Sequence, residues 1–323
     1  MGNSYPDRTN ANGVWKISDI YKNSITHKNF PRGSNRAIYS GGIVSGTTQD
    51  VIEFLTIETL GNATDFGDTN RSGNNAEAYC GLGNVTRGVF AGGNPGVNLI
   101  DFITIMSTGD SADFGDLSVA RASPQGNSND TRGLWARGYG GGAYVNTIDF
   151  ITIANTGNAT DFGDATTTGY GGSYGSINSP VRSVFARGNG DELDFVTFTS
   201  LGNAVDFGNM IVSQVGHASG CSATKGVIAG GNSNTASIDT ITIHSAGNAT
   251  DFGDLTVGRK TAGASNSKRV IFMGGAGAAT GQTTIDFITI ASAGDATDFG
   301  DLSRAVSRGA GCSNGHGGLA LTS

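Results

Sequence analysis

The sequence predicts an all-β fold built from small repeated units that close into a ring. A segment of the type IDFITIASAGDATDFGD occurs six times, and the phenylalanine of its DFG motif recurs at intervals of 48, 48, 45, 45 and 47 residues. Short runs of β-branched and aromatic residues alternate with glycine, which is typical of strands joined by tight turns. A period of this size is typical of four-stranded propeller blades, so we predict a single β-propeller. The repeated phenylalanines are Phe66, Phe114, Phe162, Phe207, Phe252 and Phe299.

Residues 1–34 match no repeat and are predicted to form a leader or connector. Ser18 is predicted to cap a short helix within it. This leader is a candidate for docking on another chain of an assembly, and the propeller is assigned to residues 35–323. The candidate docking residues are Trp15, Ile20 and Tyr21.

Each unit is predicted to contain four strands. A stretch of small residues forms the first strand, a run of the RGVFAGG type the second, a run of the IDFITI type the third and the DFGD segment the fourth. In the third strand, Ile100 and Phe102 lie on one face, and Ile103 and Ile105 lie on the other. Apolar residues on both faces indicate a strand buried between two neighbouring blades.

The two ends of the array decide the number of blades. Residues 308–314 repeat a first strand, whereas the first unit has a poor first strand of its own. A last strand that completes the first blade closes the ring and removes exposed sheet edges. We therefore favour six blades; the alternative is seven, with the leader completing the last one.

Composition argues against several functional classes. The net charge is −7 and is unevenly spread: the first 40 residues carry six basic and two acidic side chains, whereas the remainder carries 14 basic and 25 acidic ones. This acidic remainder is unsuited to sequence-independent nucleic-acid binding. No apolar run is long enough to span a membrane. Three widely spaced cysteines, Cys80, Cys221 and Cys312, indicate neither a disulfide framework nor a zinc site, and we interpret them as small core residues. Cys221 and Cys312 are assigned to the same repeat position.

The motifs with possible chemistry have structural explanations. Asp-Phe-Gly occurs in every unit without the other parts of a kinase site, so it is interpreted as a turn and packing motif. The paired carboxylates of DFGD lie on separate blades and do not supply the six or more oxygens that calcium requires. Three Asn-Ala-Thr sequons fall in turns, and the four histidines are far apart. We therefore predict no catalytic residue, metal or cofactor.

The connections between strands divide into two sets. Antiparallel strands place the first-to-second and third-to-fourth turns on one face of the ring, which we call the uniform face because these turns are similar in all units. The other connections lie on the opposite face and differ in every unit; we call it the variable face. Loops that vary on a rigid frame are typical of a binding surface, although neutral drift of solvent-exposed loops is the alternative. The candidate binding residues are Arg137, Tyr139, Tyr144, Tyr170, Tyr174, Arg187, Asp191 and Glu192.

The array RGVFAGG…IDFITI…GNATDFGDL with its terminal SNGHGGL resembles the kelch-like propeller repeats of virion proteins of tailed phages, particularly marine ones. The Gly-Gly after the second strand matches the kelch hallmark, but Phe66 and its equivalents stand where kelch repeats usually carry a tryptophan. The leader from Gly13 to Pro31 resembles the segment that joins such propellers to a preceding virion domain. The resemblance implies a virion protein that is assembled in the host cytoplasm, and it assigns no catalytic residue.

Three hypotheses for function follow. The first is a tail-fibre or surface-fibre propeller that binds a host glycan or receptor through its variable face, with other virion proteins as partners and a possible homo-oligomer. The second is a purely architectural virion subunit. The third, a propeller glycosidase, would need two carboxyl groups across a cleft, whereas Asp191 and Glu192 are sequence neighbours expected to point apart.

Overall fold

The computed structural model describes residues 35–71, 73–171, 174–232, 235–276 and 281–319. The predicted leader helix and the candidate docking residues Trp15, Ile20 and Tyr21 lie outside these described residues. Within them, no helix is both long and apolar enough to cross a membrane.

The described residues form 25 β-strands and one short 3₁₀ helix, Gly73–Ala76. The strands of the first half are β1 (Arg36–Ser40), β2 (Ile43–Val44), β3 (Thr47–Thr48), β4 (Val51–Thr56), β5 (Thr64–Asp68), β6 (Tyr79–Gly83), β7 (Arg87–Gly92), β8 (Val97–Thr104), β9 (Ala112–Arg121), β10 (Gln125–Ser128), β11 (Arg132–Gly140), β12 (Ala143–Thr152) and β13 (Thr160–Asp164). Those of the second half are β14 (Arg182–Ala186), β15 (Glu192–Thr197), β16 (Val205–Asn209), β17 (Ala218–Cys221), β18 (Lys225–Ala229), β19 (Ser237–Thr242), β20 (Thr250–Asp254), β21 (Lys260–Ser265), β22 (Arg269–Ala276), β23 (Gln282–Thr289), β24 (Thr297–Val306) and β25 (Ala310–Ser313).

These strands form six antiparallel blades arranged in a ring, which confirms the predicted propeller. Five blades are four-stranded sheets, with the orders β25-β1-β4-β5, β6-β7-β8-β9, β10-β11-β12-β13, β17-β18-β19-β20 and β21-β22-β23-β24. The fourth blade consists of β14, β15 and β16, and residues 176–179 take its innermost position. There the backbone NH of Val184 donates to Ile177, and Asn178 bridges Ser183.

The C-terminal strand closes the ring. Strand β25 pairs antiparallel with β1 over four residue pairs, from Ala37–Ser313 to Ser40–Ala310. The first blade therefore contains strands from both ends of the described chain, and the ring has six blades rather than seven.

The register of β25 corrects one sequence assignment. Cys221 pairs with the second residue of β18, Gly226, whereas Cys312 pairs with the third residue of β1, Ile38. The two cysteines therefore do not occupy the same repeat position; Ser313 is the equivalent of Cys221. Both thiols and that of Cys80 are buried, as expected for core residues.

The apolar core lies between blades. Six buried clusters fill the six joints, and each combines side chains of two adjacent blades. In the joint between the second and third blades, for example, Val89 and Phe114 pack with Trp135 and Ile151. The third strand therefore packs on both faces, as predicted: Ile100 and Phe102 face this joint, and Ile103 and Ile105 face the joint with the first blade.

A hydrogen-bond clasp repeats at the outer rim of every joint. The turn after each third strand donates two backbone NH groups to the DFGD segment of the preceding blade, and its Asn or Asp side chain accepts a backbone NH in return, at 2.9–3.1 Å. The glycine of each DFG has φ between 140° and 150°, and a side chain there would collide with the next blade. The sequon asparagines are therefore explained by contacts between blades. The donor–acceptor pairs are Asp68–Asp110, Asp116–Asn158, Asp164–Asn203, Asn209–Asn248, Asp254–Asp295 and Asp301–Asn62.

A buried acidic side chain in the third strand marks every joint, a feature the sequence analysis did not identify. Five of the six form an ion pair with an arginine of the preceding blade. The pairs are Arg71–Asp101, Arg121–Asp149, Arg137–Asp194, Arg259–Asp286 and Arg304–Glu53. The sixth acid, Asp239, has no cationic partner among the described residues and accepts hydrogen bonds from Ile211 and Ser237 instead.

Chain segments fill the axis of the ring at both ends. Near the uniform face, residues 314–319 follow β25 into the axis, where the His316 ring donates to Gly83 at 2.7 Å and the Gly317 NH donates to Cys221. Near the variable face, Tyr174 accepts a hydrogen bond from Gly263 and donates its backbone NH to His217. The propeller therefore offers a surface at the variable face rather than an open tunnel.

Candidate binding surface

The longest hairpin of the described chain carries two of the predicted tyrosines on the variable face. Strands β11 and β12 are nine and ten residues long, and their outer ends pair Tyr139 with Tyr144 beside the two-residue turn of Gly141 and Gly142. Both glycines have positive φ (60° and 83°), as the tight hairpin turn requires. The hairpin therefore presents an aromatic pair on the variable face.

Tyr170 joins this pair from the connection between the third and fourth blades. Its ring centroid lies 4.8 Å from that of Tyr144 and 6.1 Å from that of Tyr139, and the two hairpin rings lie 5.4 Å apart. Burial raises the pKa of Tyr170, and a hydrogen bond with Tyr144 adds to the shift. We call Tyr139, Tyr144 and Tyr170 the tyrosine cluster.

The backbone around the cluster is held on both sides. Tyr139 exchanges two hydrogen bonds with Ala122 of the preceding connection, at 2.8 and 2.9 Å. On the other side, the NH of Gly138 donates to Gly169, and the NH of Gly188 donates to Tyr170. A platform held in this way loses little conformational entropy when a ligand binds.

Arg187 and Glu192 lie next to the cluster and form an ion pair at 2.5 Å. The Arg187 side chain packs over Gly169, directly before Tyr170 in the chain. Burial acts to raise the pKa of Glu192, but hydrogen bonds and the nearby Arg187 outweigh it, so the pKa is lowered. The carboxylate therefore stays ionised at neutral pH and can accept hydrogen bonds from a ligand.

The remaining predicted residues differ in their placement. Arg137 does not belong to the exposed surface: a bulge in β11 between Ala136 and Gly138, with φ of 60° at Arg137, turns its side chain into the joint, where it pairs with Asp194 and is fully buried. Asp191 is half-buried and accepts a backbone NH from Met210 through its carbonyl oxygen. Tyr174 lies at the axis and packs against the core cluster between the sixth and first blades.

Tyr174 is the centre of what we call the axial mouth, together with Lys260 and Arg308. Its phenol hydrogen-bonds to Ser123. The Lys260 side chain lies over Gly216, and the half-exposed Arg308 guanidinium lies 3.9 Å from Glu77. The sequence analysis missed the two cations because neither stands in a recognisable motif.

A separate polar groove of about 440 Å³ lies on the variable face at the first blade. The β2–β3 hairpin and the 3₁₀ helix border it, and Asp50 supplies a carboxylate. The repeat pattern gave no signal for it, since this connection has no counterpart in the other units.

Among the described residues, no group of three or more His, Cys, Asp and Glu side chains is arranged to hold a metal ion. No protein-family model matches the chain, and no curated protein matches it either.

Proposed function

We propose that this chain is a non-enzymatic propeller of a phage virion, used in a tail fibre or surface fibre to bind a host surface glycan or receptor through its variable face. The observation that carries the binding role is the tyrosine cluster, in which two rings of the β11–β12 hairpin contact each other and a third ring from the neighbouring connection. The virion context comes from the sequence resemblance alone.

The cluster has the properties of a surface for polar polymers. A tyrosine offers an apolar ring face for stacking and a hydroxyl group for hydrogen bonding, at a low cost in conformational entropy. The ionised Glu192 and its partner Arg187 add an acceptor and donors beside the rings. Together they form a shallow site that suits sugar rings with their mixed apolar faces and hydroxyl edges.

Alanine replacement of all three cluster residues tests the proposal. We expect Tyr139→Ala, Tyr144→Ala and Tyr170→Ala together to lower affinity at least tenfold on glycan arrays and host cells, because each lost stacking contact contributes on the order of 1 kcal/mol. The triple Tyr→Phe variant should keep stacking and lose only hydrogen bonds. A matched control is Leu60→Ala with Leu201→Ala, two exposed apolar residues on the uniform face. Unchanged binding by a folded alanine variant would contradict the proposal.

A second candidate function, an architectural contact with another virion chain, is favoured by a different observation. On the uniform face of the fourth blade, Val181, Leu201 and Val205 are 55%, 60% and 57% exposed. The third blade has threonine at all three equivalent positions, Thr131, Thr156 and Thr160. Exposed apolar side chains grouped in this way indicate a protein contact.

Replacing these three residues by threonine, as in the third blade, separates the two candidates. If the uniform face is an assembly contact, the variant should lose co-assembly or self-association in light scattering while its glycan binding stays unchanged. Unchanged association of the variant would remove the second candidate.

A further inference from the structure

Two cations lie at the variable-face end of the axis, one at the start of the innermost strand of each of two adjacent blades. The innermost strands of adjacent blades run parallel, and a side chain on Gly311 of β25 would come within 2.4 Å of the carbonyl oxygen of Gly263 in β21. Lys260 is the first residue of β21, and Arg308 lies two residues before β25, so both stand where the innermost strands of the sixth and first blades begin. Both therefore belong to the rim of the axial mouth.

The charge of this pair is not neutralised by the described part of the chain. Lys260 has no carboxylate within salt-bridge distance among the described residues, and Arg308 has only Glu77, at 3.9 Å. Glu77 itself is buried and accepts a hydrogen bond from Asn94, so it offsets at most one positive charge. Burial lowers the pKa of Lys260, and the proximity of Arg308 lowers it further, as expected for two cations sharing one patch.

The axial mouth lies within reach of the tyrosine cluster. Tyr174 follows Tyr170 by four residues, a distance of at most about 14 Å along an extended chain. Its hydrogen bonds to His217 and Gly263 place it between the innermost strands of the fifth and sixth blades. Since Lys260 is three residues before Gly263, about 10 Å along the strand, one extended ligand can reach from the cluster to the cations.

We infer that the ligand of the variable face is an acidic polysaccharide. Its sugar rings stack on the tyrosine cluster, and a carboxylate group of the polymer is bound between Lys260 and Arg308. Arginine suits this role because its planar guanidinium binds carboxylates with paired hydrogen bonds. The inference rests on the proposed glycan-binding function and specifies the class of glycan.

A matched pair of ligands tests the inference with the full chain. Uronic-acid polysaccharides on an array are compared with the same polymers after methyl esterification, which removes the charge and keeps the sugar backbone. We expect the acidic form to bind at least tenfold more tightly, and its binding to weaken as salt rises from 50 to 500 mM because the cations are screened.

Two variants link this preference to the axial mouth. Lys260→Gln with Arg308→Gln should lower affinity for the acidic polymer about tenfold and leave the weaker binding of the ester unchanged. The control is Lys268→Gln, an exposed lysine on the uniform face whose loss should have no effect. Thermal melting of each variant checks that it is folded.

The outcomes separate the inference from the proposed function. Equal binding of acid and ester forms, still sensitive to the tyrosine variant, would overturn the inference and leave glycan binding in place. Equal loss of acid binding in the double and Lys268 variants would also overturn it. No binding to any polysaccharide, acidic or neutral, would contradict both the inference and glycan binding as the proposed function.

Discussion

At the scale of single residues, the buried acid of each third strand is the most informative position. In the sixth blade the acid is fully paired and excluded from water: the side chains of Arg259 and Asp286 are completely buried, and the guanidinium also donates to the carbonyl oxygens of Gly274 and Val257. A buried charge costs several kcal/mol unless it is paired and hydrogen-bonded. Asp239 lacks this compensation, and burial raises its pKa.

This contrast predicts opposite effects of one substitution at two equivalent positions. Asp286→Asn should destabilise the protein by about 3–5 kcal/mol, because Arg259 would remain charged in a dry joint. Asp239→Asn should be neutral or slightly stabilising at pH 7, since the amide can accept from Ile211 and donate to the Ser237 hydroxyl without a desolvated charge. Urea unfolding of both variants measures the difference. Similar losses in both would show that the unpaired carboxylate is not a liability.

A second prediction concerns an arginine introduced opposite Asp239, the acid that lacks a cationic partner among the described residues. Gln214 follows Phe207 by seven residues, as Arg121 follows Phe114 and Arg259 follows Phe252, and it lines a small cavity beside Asp239. Gln214→Arg should therefore stabilise the protein by about 1 kcal/mol and destabilise it when combined with Asp239→Asn. A double-mutant cycle read by chemical denaturation gives the coupling. Additive effects would mean that the guanidinium does not reach the carboxylate.

At the scale of elements, the fifth blade departs most from the repeat. In the other five blades the arginine that begins the second strand stacks on a third-strand phenylalanine, at 4.2–5.1 Å from the ring centroid, and donates to a carbonyl oxygen of the next blade. The fifth blade has Lys225 and Thr240 at these positions. The fifth blade therefore lacks the arginine–phenylalanine stack at its joint with the sixth blade and the arginine–acid ion pair at its joint with the fourth blade.

We therefore predict that the fifth blade opens first. Hydrogen exchange followed by mass spectrometry should show faster exchange in β18 and β19 than in the matching strands β22 and β23, because local opening there breaks fewer contacts between blades. Lys225→Arg with Thr240→Phe should slow exchange in this blade. Uniform protection of all six blades would contradict the prediction.

The period of the sequence was enough to predict the blades, but not the geometry of particular side chains. Closure by residues near 308–314 followed from the partial last unit, and β25 confirmed it. Arg137 was predicted to belong to the binding surface because it is one of the aromatic and charged residues of the third and fourth units, whereas a bulge at that position turns it inward. The Asx clasps join residues about 40 positions apart and, at the last joint, 239 positions apart, so turn preferences alone could not reveal them.

At the scale of the whole molecule, contacts between blades occur at three distances from the propeller axis. The Asx clasps join blades at the outer rim, the arginine–acid pairs and apolar clusters join them in the middle, and residues 314–319 join them at the axis. His316 contacts three blades there, through Gly83, Ser128 and Asn178. Replacing the His316 imidazole therefore affects contacts among three blades at once.

The axis makes stability depend on pH. Burial lowers the pKa of His316, and the two groups facing its Nδ1, the Gly318 NH and the Asn178 amide, lie as donors that favour the neutral ring. Burial also lowers the pKa of His217 to about 4. Unfolded histidine has a pKa of about 6.5, so below this pH the unfolded chain binds protons that the two buried histidines do not. The free energy of unfolding is therefore unaffected by these histidines above pH 6.5 and decreases as the pH falls towards each folded pKa.

We therefore expect the free energy of unfolding to fall between pH 6.5 and pH 5 by up to about 1.4 kcal/mol per pH unit for each of the two histidines. His316→Gln should remove about half of this slope, since an amide can still donate to Gly83 and does not titrate. The control is His244→Gln, because His244 is exposed and its ring contacts only the Ala223 carbonyl oxygen among the described residues. Urea unfolding at several pH values gives the slopes. If the His316 and His244 variants kept the same slope as the parent protein, the axial histidine would not be the group that responds to acid.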